Sequence, residues 1–141
     1  MYVLDTDHLG VLQRESDPAY SVLSRRISQR AQTDFYVTVV SFHEQILGWN
    51  AYIARAKDRG GVVRGYRRLE AILADFSRAQ VLPFDDRAAE VFDALRRRRI
   101  RVGTMDLRIA AIARSKNMTV LTRNLVDFQR VPDLAVEDWT T

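Results

Sequence analysis

Apolar residues along this chain fall into two kinds of grouping. Compact runs, several rich in β-branched and aromatic residues, occupy 1–5, 34–40, 80–83, 118–122 and 134–136. They are too short to show alternation and read as strands buried in a sheet. Between them, apolar positions recur three and four apart, the period of a helix with one buried face. A short helix is predicted over 7–14, with Asp7 as a candidate cap. Ser16-Asp17-Pro18 is a start signal, cap residues followed by proline, for a helix carrying Val22, Leu23 and Ile27 and ending near Arg30. Ser41 opens a long helix with Ile46, Trp49 and Ile53 on one stripe, and Gly60-Gly61 breaks it. A second long helix follows, with Val62, Tyr66, Leu69, Ile72 or Leu73, and Phe76 on one face. The short connection predicts that these two helices pair as a hairpin. Asp85 or Asp86 caps the next helix, whose face is Ala88, Val91, Phe92 and Leu95. The alanine-rich segment 104–115 is apolar on most sides and belongs deep in the fold. Asn117 suits a left-handed helix end, and 124–128 makes a helical turn.

Five short strands alternating with helices give an α/β fold, a three-layer α/β/α sandwich around a five-stranded parallel sheet. With 141 residues and no repeat, low-complexity tract or linker, residues 1–141 are expected to form a single domain. There is no cysteine, which excludes a disulfide framework and thiolate metal sites. No apolar stretch approaches the ~20 residues of a membrane span, so the expectation is a cytoplasmic protein without membrane contact.

The sheet gives certain polar residues a shared address. Parallel strands bring their carboxyl ends to one edge, where ligands and chemistry gather. Asp5, Glu44, Asp106 and Asn124 all fall just past a strand or in the first turn of a helix. Each has a structural explanation. Glu44 follows Ser41 by the capping-box spacing. Asp106 follows a candidate cap, Thr104, and complements a helix dipole. Asn124 can cap the last helical turn, with Asp127 three residues on. Asp5 directly follows Val3-Leu4, and a carboxylate there must find donors, a cation or water. Taken together, three carboxylates converging within about 5 Å repel by a few kcal/mol per pair, which calls for a cation. Oxygen ligands without cysteine or a histidine pair favour Mg²⁺ or Mn²⁺ over zinc. Such an ion suits phosphodiester hydrolysis.

The net charge of +4 comes from an arginine excess. Arg96, Arg97, Arg98, Arg99 and Arg101 precede the helix that carries Asp106, and guanidinium groups bind phosphates bidentately. The same run is equally explained as a solvated helix end with cations near its negative pole. His8 and His43 are expected to be structural or surface residues, and Trp49 and Tyr66 core or interface residues. In a strand Asp5 and Asp7 would face the same way, making Asp7 either a supporting residue or a helix cap.

Leu4-Asp5-Thr6, Ser41-Phe42-His43-Glu44, Asp106-Leu107-Arg108-Ile109-Ala110-Ala111 and Leu121-Thr122-Arg123-Asn124 resemble, in order and spacing, the motifs of the PIN domain. More narrowly they resemble the toxin component of VapBC toxin–antitoxin systems. The C-terminal stretch, Asp127-Phe128 through Val131-Pro132 to Val136-Glu137-Asp138-Trp139, is also similar to that group. The resemblance implies an acidic pocket for Mg²⁺ or Mn²⁺ and endoribonuclease action on tRNA, rRNA or mRNA. It also implies a cognate antitoxin and a homodimer. By position, Asp5, Glu44 and Asp106 match the three acidic residues, and Asn124 the fourth, which is acidic in some members. Asp7 stands where many members have asparagine.

The expected division of labour has Asp5 and Asp106 holding the ion. Glu44 completes its shell or handles the attacking water, and Asn124 positions water or phosphate. Thr6, Asp7, Thr104 and Asp127 are the expected supporting residues, and the arginine run holds RNA. Helix-hairpin residues 45–76 are the expected surface for dimerisation or antitoxin docking. Two rivals stand beside this reading. A PIN-like domain without cleavage activity would bind RNA or antitoxin only, which the neutral Asn124 allows. Alternatively Asp5-Thr6-Asp7 resembles the nucleophile motif of aspartyl-phosphate-forming phosphatases. That family also needs a downstream lysine, and Lys57 and Lys116, the only two, lie outside the required context.

Overall fold

The computed structural model describes residues 1–141. Strand β1 (Tyr2–Leu4) leads into α1 (Thr6–Arg14) and α2 (Pro18–Ser28). A 3-10 turn (Gln32–Asp34) precedes β2 (Phe35–Thr38), followed by the long helices α3 (Val39–Arg55) and α4 (Arg59–Arg78). The chain continues through β3 (Val81–Leu82), α5 (Asp86–Arg97), α6 (Thr104–Ser115), β4 (Thr119–Leu121), α7 (Leu125–Phe128) and β5 (Val136–Glu137). All five strands are parallel, in the order β3-β2-β1-β4-β5. The connections leave β1 toward β2 on one side and return to β4 on the other. The switch in strand order therefore falls beside β1, where an open parallel sheet leaves a crevice at its carboxyl edge.

Side chains alternate across the strands and build two cores. Val3 and Val120 face a cluster with Phe92, Leu95, Ile109, Ile112 and Phe128, contributed by α5, α6 and α7. Leu4, Val37 and Leu121 face the opposite cluster with Val11, Leu23, Ile72, Phe76 and Trp139, which packs α1, α2 and α4. Helix α6 is buried nearly all round, as its alanine-rich sequence predicts. Helices α5 and α6 run antiparallel. Asp85, which caps α5, pairs with Lys116 beyond the far end of α6. The arginine-rich connection closes the other end of the pair, the end that carries Asp106.

Several boundaries differ from the sequence reading, each for a local reason. Helix α3 starts at Val39, inside the apolar run predicted as strand through 40, because Thr38 accepts the backbone N–H of Ser41 and caps it. The break after α3 is at 56–58. Gly60 and Gly61 lie within the first turn of α4, whose cap is Asp58. The fifth strand is Val136–Glu137, later than predicted. On α4 the buried stripe is Gly65, Ile72 and Phe76, whereas Tyr66 and Leu73 are exposed. Gly65 is where α3 crosses: a Cβ there would collide with Ile53. Gly65→Ala is expected to destabilise the hairpin by about 1–3 kcal/mol, read as a lowered Tm, because overpacking forces the helices apart.

Candidate functional site

Asp5 sits where β1 ends and α1 begins. Its backbone N–H still bonds to Leu121 of β4, while its side chain accepts from the Thr6 N–H at 2.7 Å and so caps α1. The cap is therefore Asp5, and the assignment of Asp7 as helix cap is corrected. The other Asp5 carboxylate oxygen accepts from Thr122 Oγ at 2.8 Å, at the end of β4. Asp5 is buried, 5% exposed, with no cationic side chain bonded to it. Burial first, then the nearby Asp7 charge, pushes its pKa up from 3.8 to about 7.

Glu44 lies in the second turn of α3, half-buried. The capping-box reading is overturned, because Ser41 is not the cap residue and Glu44 does not reach back to its N–H. Instead Thr6 Oγ donates to Glu44 Oε1 at 2.8 Å, and Thr6 Oγ also lies 3.0 Å from Ser41 Oγ. Asp106 occupies the first turn of α6, but the cap residue is Gly103. Thr104, the predicted cap, is the first helical residue and is exposed, with no bond to the cluster. Burial first, then the charges of Glu44 and Asp127, raise the Asp106 pKa from 3.8 to about 6. Asn124 makes no cap bond either. Its amide donates to Asp127 at 3.0 Å and, at a longer 3.4 Å, to Asp106. Asp127 thus faces the site through Asn124, and Arg130 bonds Asp127 and the Arg101 carbonyl together.

One carboxylate oxygen each from Asp5, Glu44 and Asp106 lies within 4.8 Å of the other two. The expected convergence is thus present. Three carboxylate oxygens at that spacing are near enough for small side-chain movements to bring them onto one hard divalent ion, which Asp5, Glu44 and Asp106 would hold. The donor set is hard oxygen only, which matches Mg²⁺ or Mn²⁺ chemistry and not that of softer metals.

Asp7 plays a different part. His8 Nδ1 lies 2.9 Å from one of its oxygens, and the Arg123 N–H donates to the other at 2.9 Å, with Thr122 Oγ 3.2 Å away. Burial pushes the Asp7 pKa upward, but the hydrogen bonds from His8 and Arg123 outweigh it, and the net shift is down. His8 is fully buried and its Nε2 accepts the Trp139 N–H, so the neutral ring carries its proton on Nδ1 and donates to Asp7. His8 is a structural residue, as expected, while His43 is exposed. Thr122, the hydroxyl between Asp5 and Asp7, is not among the residues expected from sequence. Its signals there are its place at the end of a predicted strand and its membership of the Leu121-Thr122-Arg123-Asn124 motif. Arg96, Arg97, Arg98, Arg99 and Arg101 are exposed at the end of the α5–α6 pair nearest Asp106, with the Arg96 guanidinium over Phe92.

A PIN domain family model matches residues 2–134. This chain is a PIN domain. Ribonuclease VapC of Rickettsia bellii is 32% identical over 118 residues, covering 79% of this chain and 83% of the relative. The tRNA(fMet)-specific endonuclease VapC of Salmonella typhimurium is 36% identical over 77 residues, covering 52% of this chain. That matched segment spans 58% of the Salmonella protein. Among solved structures, DNA-bound VapBC from Salmonella typhimurium superposes with a TM-score of 0.74 at 25% identity, covering 98% of this chain and 97% of that one. The fold described above is therefore the PIN fold, carried by a divergent sequence.

Proposed function

We propose that this single PIN domain is the endoribonuclease toxin of a VapBC-type pair, cutting RNA phosphodiester bonds with Mg²⁺ or Mn²⁺. The observation that carries the reading is the Asp5–Glu44–Asp106 cluster. Two of its carboxyls are raised toward neutrality by burial first and then by neighbouring carboxylates, Asp7 for Asp5 and Glu44 for Asp106, the condition a divalent cation relieves. When bound, the ion lowers the pKa of water and neutralises charge on the phosphate. Asp5 and Asp106 would hold it. Glu44, fixed through one oxygen by Thr6, keeps its other oxygen available to orient and deprotonate the attacking water. Asn124 donates toward Asp106 and positions water or a phosphate oxygen. Thr122 holds the Asp5 carboxylate in place, and Asp7, by accepting the Arg123 N–H, fixes the backbone next to Thr122.

The VapC relatives and the VapBC complex support an antitoxin partner. Val62, Val63, Tyr66 and Leu73 form an exposed apolar stripe on α4, within the hairpin segment proposed for dimer or antitoxin contact. No helix of the chain is long and apolar enough to cross a membrane.

Cleavage of an end-labelled RNA pool at high protein concentration, in Mn²⁺, Mg²⁺ or EDTA, tests the activity. Cutting in the divalent ions and not in EDTA is expected. The neutral Asn124 allows the binding-only alternative, and that alternative predicts no cutting under any of these conditions. Neutralising Arg97, Arg98, Arg99 and Arg101 to glutamine is expected to weaken RNA binding and flatten its dependence on salt. The log–log slope should fall by roughly 0.7 for each phosphate no longer neutralised, measured by filter binding at several ionic strengths.

A further inference from the structure

The acidic cluster has a second neighbour on the side away from the arginine run. Between α1, α3 and α4 lies a cleft of about 670 Å³ that begins at Thr6, the residue whose hydroxyl holds Glu44. It lies in the α1/α4 layer, whereas the arginine run lies in the α5/α6 layer. The cluster stands between the two at the carboxyl edge of the sheet.

The lining has the chemistry of a nucleotide site. Arg68 reaches it without an ion-pair partner, while Arg14 pairs with Asp17 and Arg78 with Asp75, and Glu15 also lines the cleft. Trp49, half-buried, presents its indole with the Arg68 guanidinium 5.6 Å from the ring centroid. Gln13 and Gln45 exchange reciprocal amide hydrogen bonds of 3.2 and 2.7 Å, and the second Gln13 N–H goes to Asp75 at 3.2 Å. The amide pair is thereby locked. One Gln45 N–H and a lone pair on each amide oxygen remain for a ligand, a donor–acceptor edge of the kind that reads a base. Unstacked bases are held by stacking on an aromatic ring or a guanidinium plane with hydrogen bonds to their edges, and a base here would displace the Arg68 guanidinium from Trp49 and stack between ring and amide edge.

We propose that this cleft is a subsite for the nucleotide flanking the scissile phosphate of single-stranded RNA, which crosses the sheet edge from the arginine run to Trp49. The cleft selects which sequences are cut. The inference rests on the nuclease reading above, and it is tested by a measurement that does not need cleavage. Single-stranded RNA carrying 4-thiouridine is photo-crosslinked to the full chain in EDTA, and the adducts are mapped by mass spectrometry. The expected result is an adduct at Trp49 or its immediate neighbours. It should fall at least about fivefold in Arg68→Gln, an exposed substitution that leaves the fold intact, and in Trp49→Leu. With divalent metal, Arg68→Gln should still cut, but with the wild-type preference at one flanking nucleotide relaxed about tenfold in 5′-end sequencing.

Adducts confined to the arginine run, together with an unchanged cutting pattern, would overturn the subsite while leaving the nuclease reading intact. Substitutions that leave RNA adducts unchanged and only weaken antitoxin binding would overturn it in favour of a protein groove. Adducts at Trp49 without metal-dependent cutting would support the RNA site and reject the nuclease reading instead.

Discussion

Asp5→Asn is expected to abolish RNA cleavage, by at least about a thousandfold, and to make the metal-free protein more stable. The first effect follows from removing a charged ligand where the ion supplies several kcal/mol of transition-state stabilisation. The second follows from burial. A carboxyl moved from 3.8 to about 7 leaves its ionised form disfavoured by on the order of 4 kcal/mol, as an upper bound. The amide keeps the local bonds. Its oxygen can still accept from Thr6 N–H, and its N–H₂ can face Thr122 Oγ, whose proton then turns to Asp7 at 3.2 Å. Part of the relief goes to imperfect geometry, so a gain of about 1–3 kcal/mol at pH 8 is expected from denaturant unfolding in EDTA. A folded, active Asp5→Asn protein would remove Asp5 from the chemistry. A destabilised one would show that the carboxylate is held by bonds the amide cannot reproduce.

The second large effect couples pH, metal and stability. Asp5 and Asp106 both have folded pKa values above the unfolded one, at about 7 and about 6. Below about pH 4 both states carry the protons and neither group contributes. As pH rises from 4 through 7 the unfolded chain releases protons that the folded chain retains, so stability of the metal-free protein falls over that window and levels off above it. Asp5 dominates. The half-exposed Asp106 adds less, about 1–2 kcal/mol after allowance for solvent screening. Asp7 works in the opposite sense. Its lowered pKa gives stability that is present above the usual carboxyl value and lost only as pH falls through the depressed one. On the proposed reading Mn²⁺ binds the ionised cluster, so its stabilisation should be large at pH 8, about 2.7 kcal/mol at a hundredfold excess over Kd, and small at pH 5. Thermal melts across pH with Mn²⁺ or EDTA check this. Equal Mn²⁺ stabilisation at pH 5 and pH 8 would contradict it.

Much of this architecture is legible in the order of residues. The five parallel strands, the paired α3–α4 helices, the capping Asp17 and Asp85 and the left-handed Asn117 follow from local patterns that sterics and hydrogen bonding make strongly preferred. The convergence of Asp5, Glu44 and Asp106 follows from a topological rule, since parallel strands share one edge. Tertiary detail is not legible in the same way. Ser41 and Glu44 have the capping-box spacing, yet Thr38, one turn earlier, takes the cap and frees Glu44 for Thr6. Asp7 has the position expected of a cap for α1, but Asp5 fills that role, and Asp7 is drawn to His8 and to the backbone after β4. Thr6 and Glu44, like Asp7 and Arg123, are far apart in the chain, and no local window contains either pair. The exposure of Tyr66 and Leu73 is of the same kind, because Gly65 sets which face of α4 meets α3.

The central claim is that the Asp5–Glu44–Asp106 cluster is a divalent-metal centre that hydrolyses RNA. Sequencing of RNA 5′ ends after brief incubation of total RNA with the purified wild-type protein or Asp5→Asn, each in Mg²⁺ or EDTA, tests it most directly. Discrete new ends in the wild type with Mg²⁺ alone, absent from the other three samples, are the predicted result. The same ends in EDTA, or in folded Asp5→Asn with Mg²⁺, would contradict it.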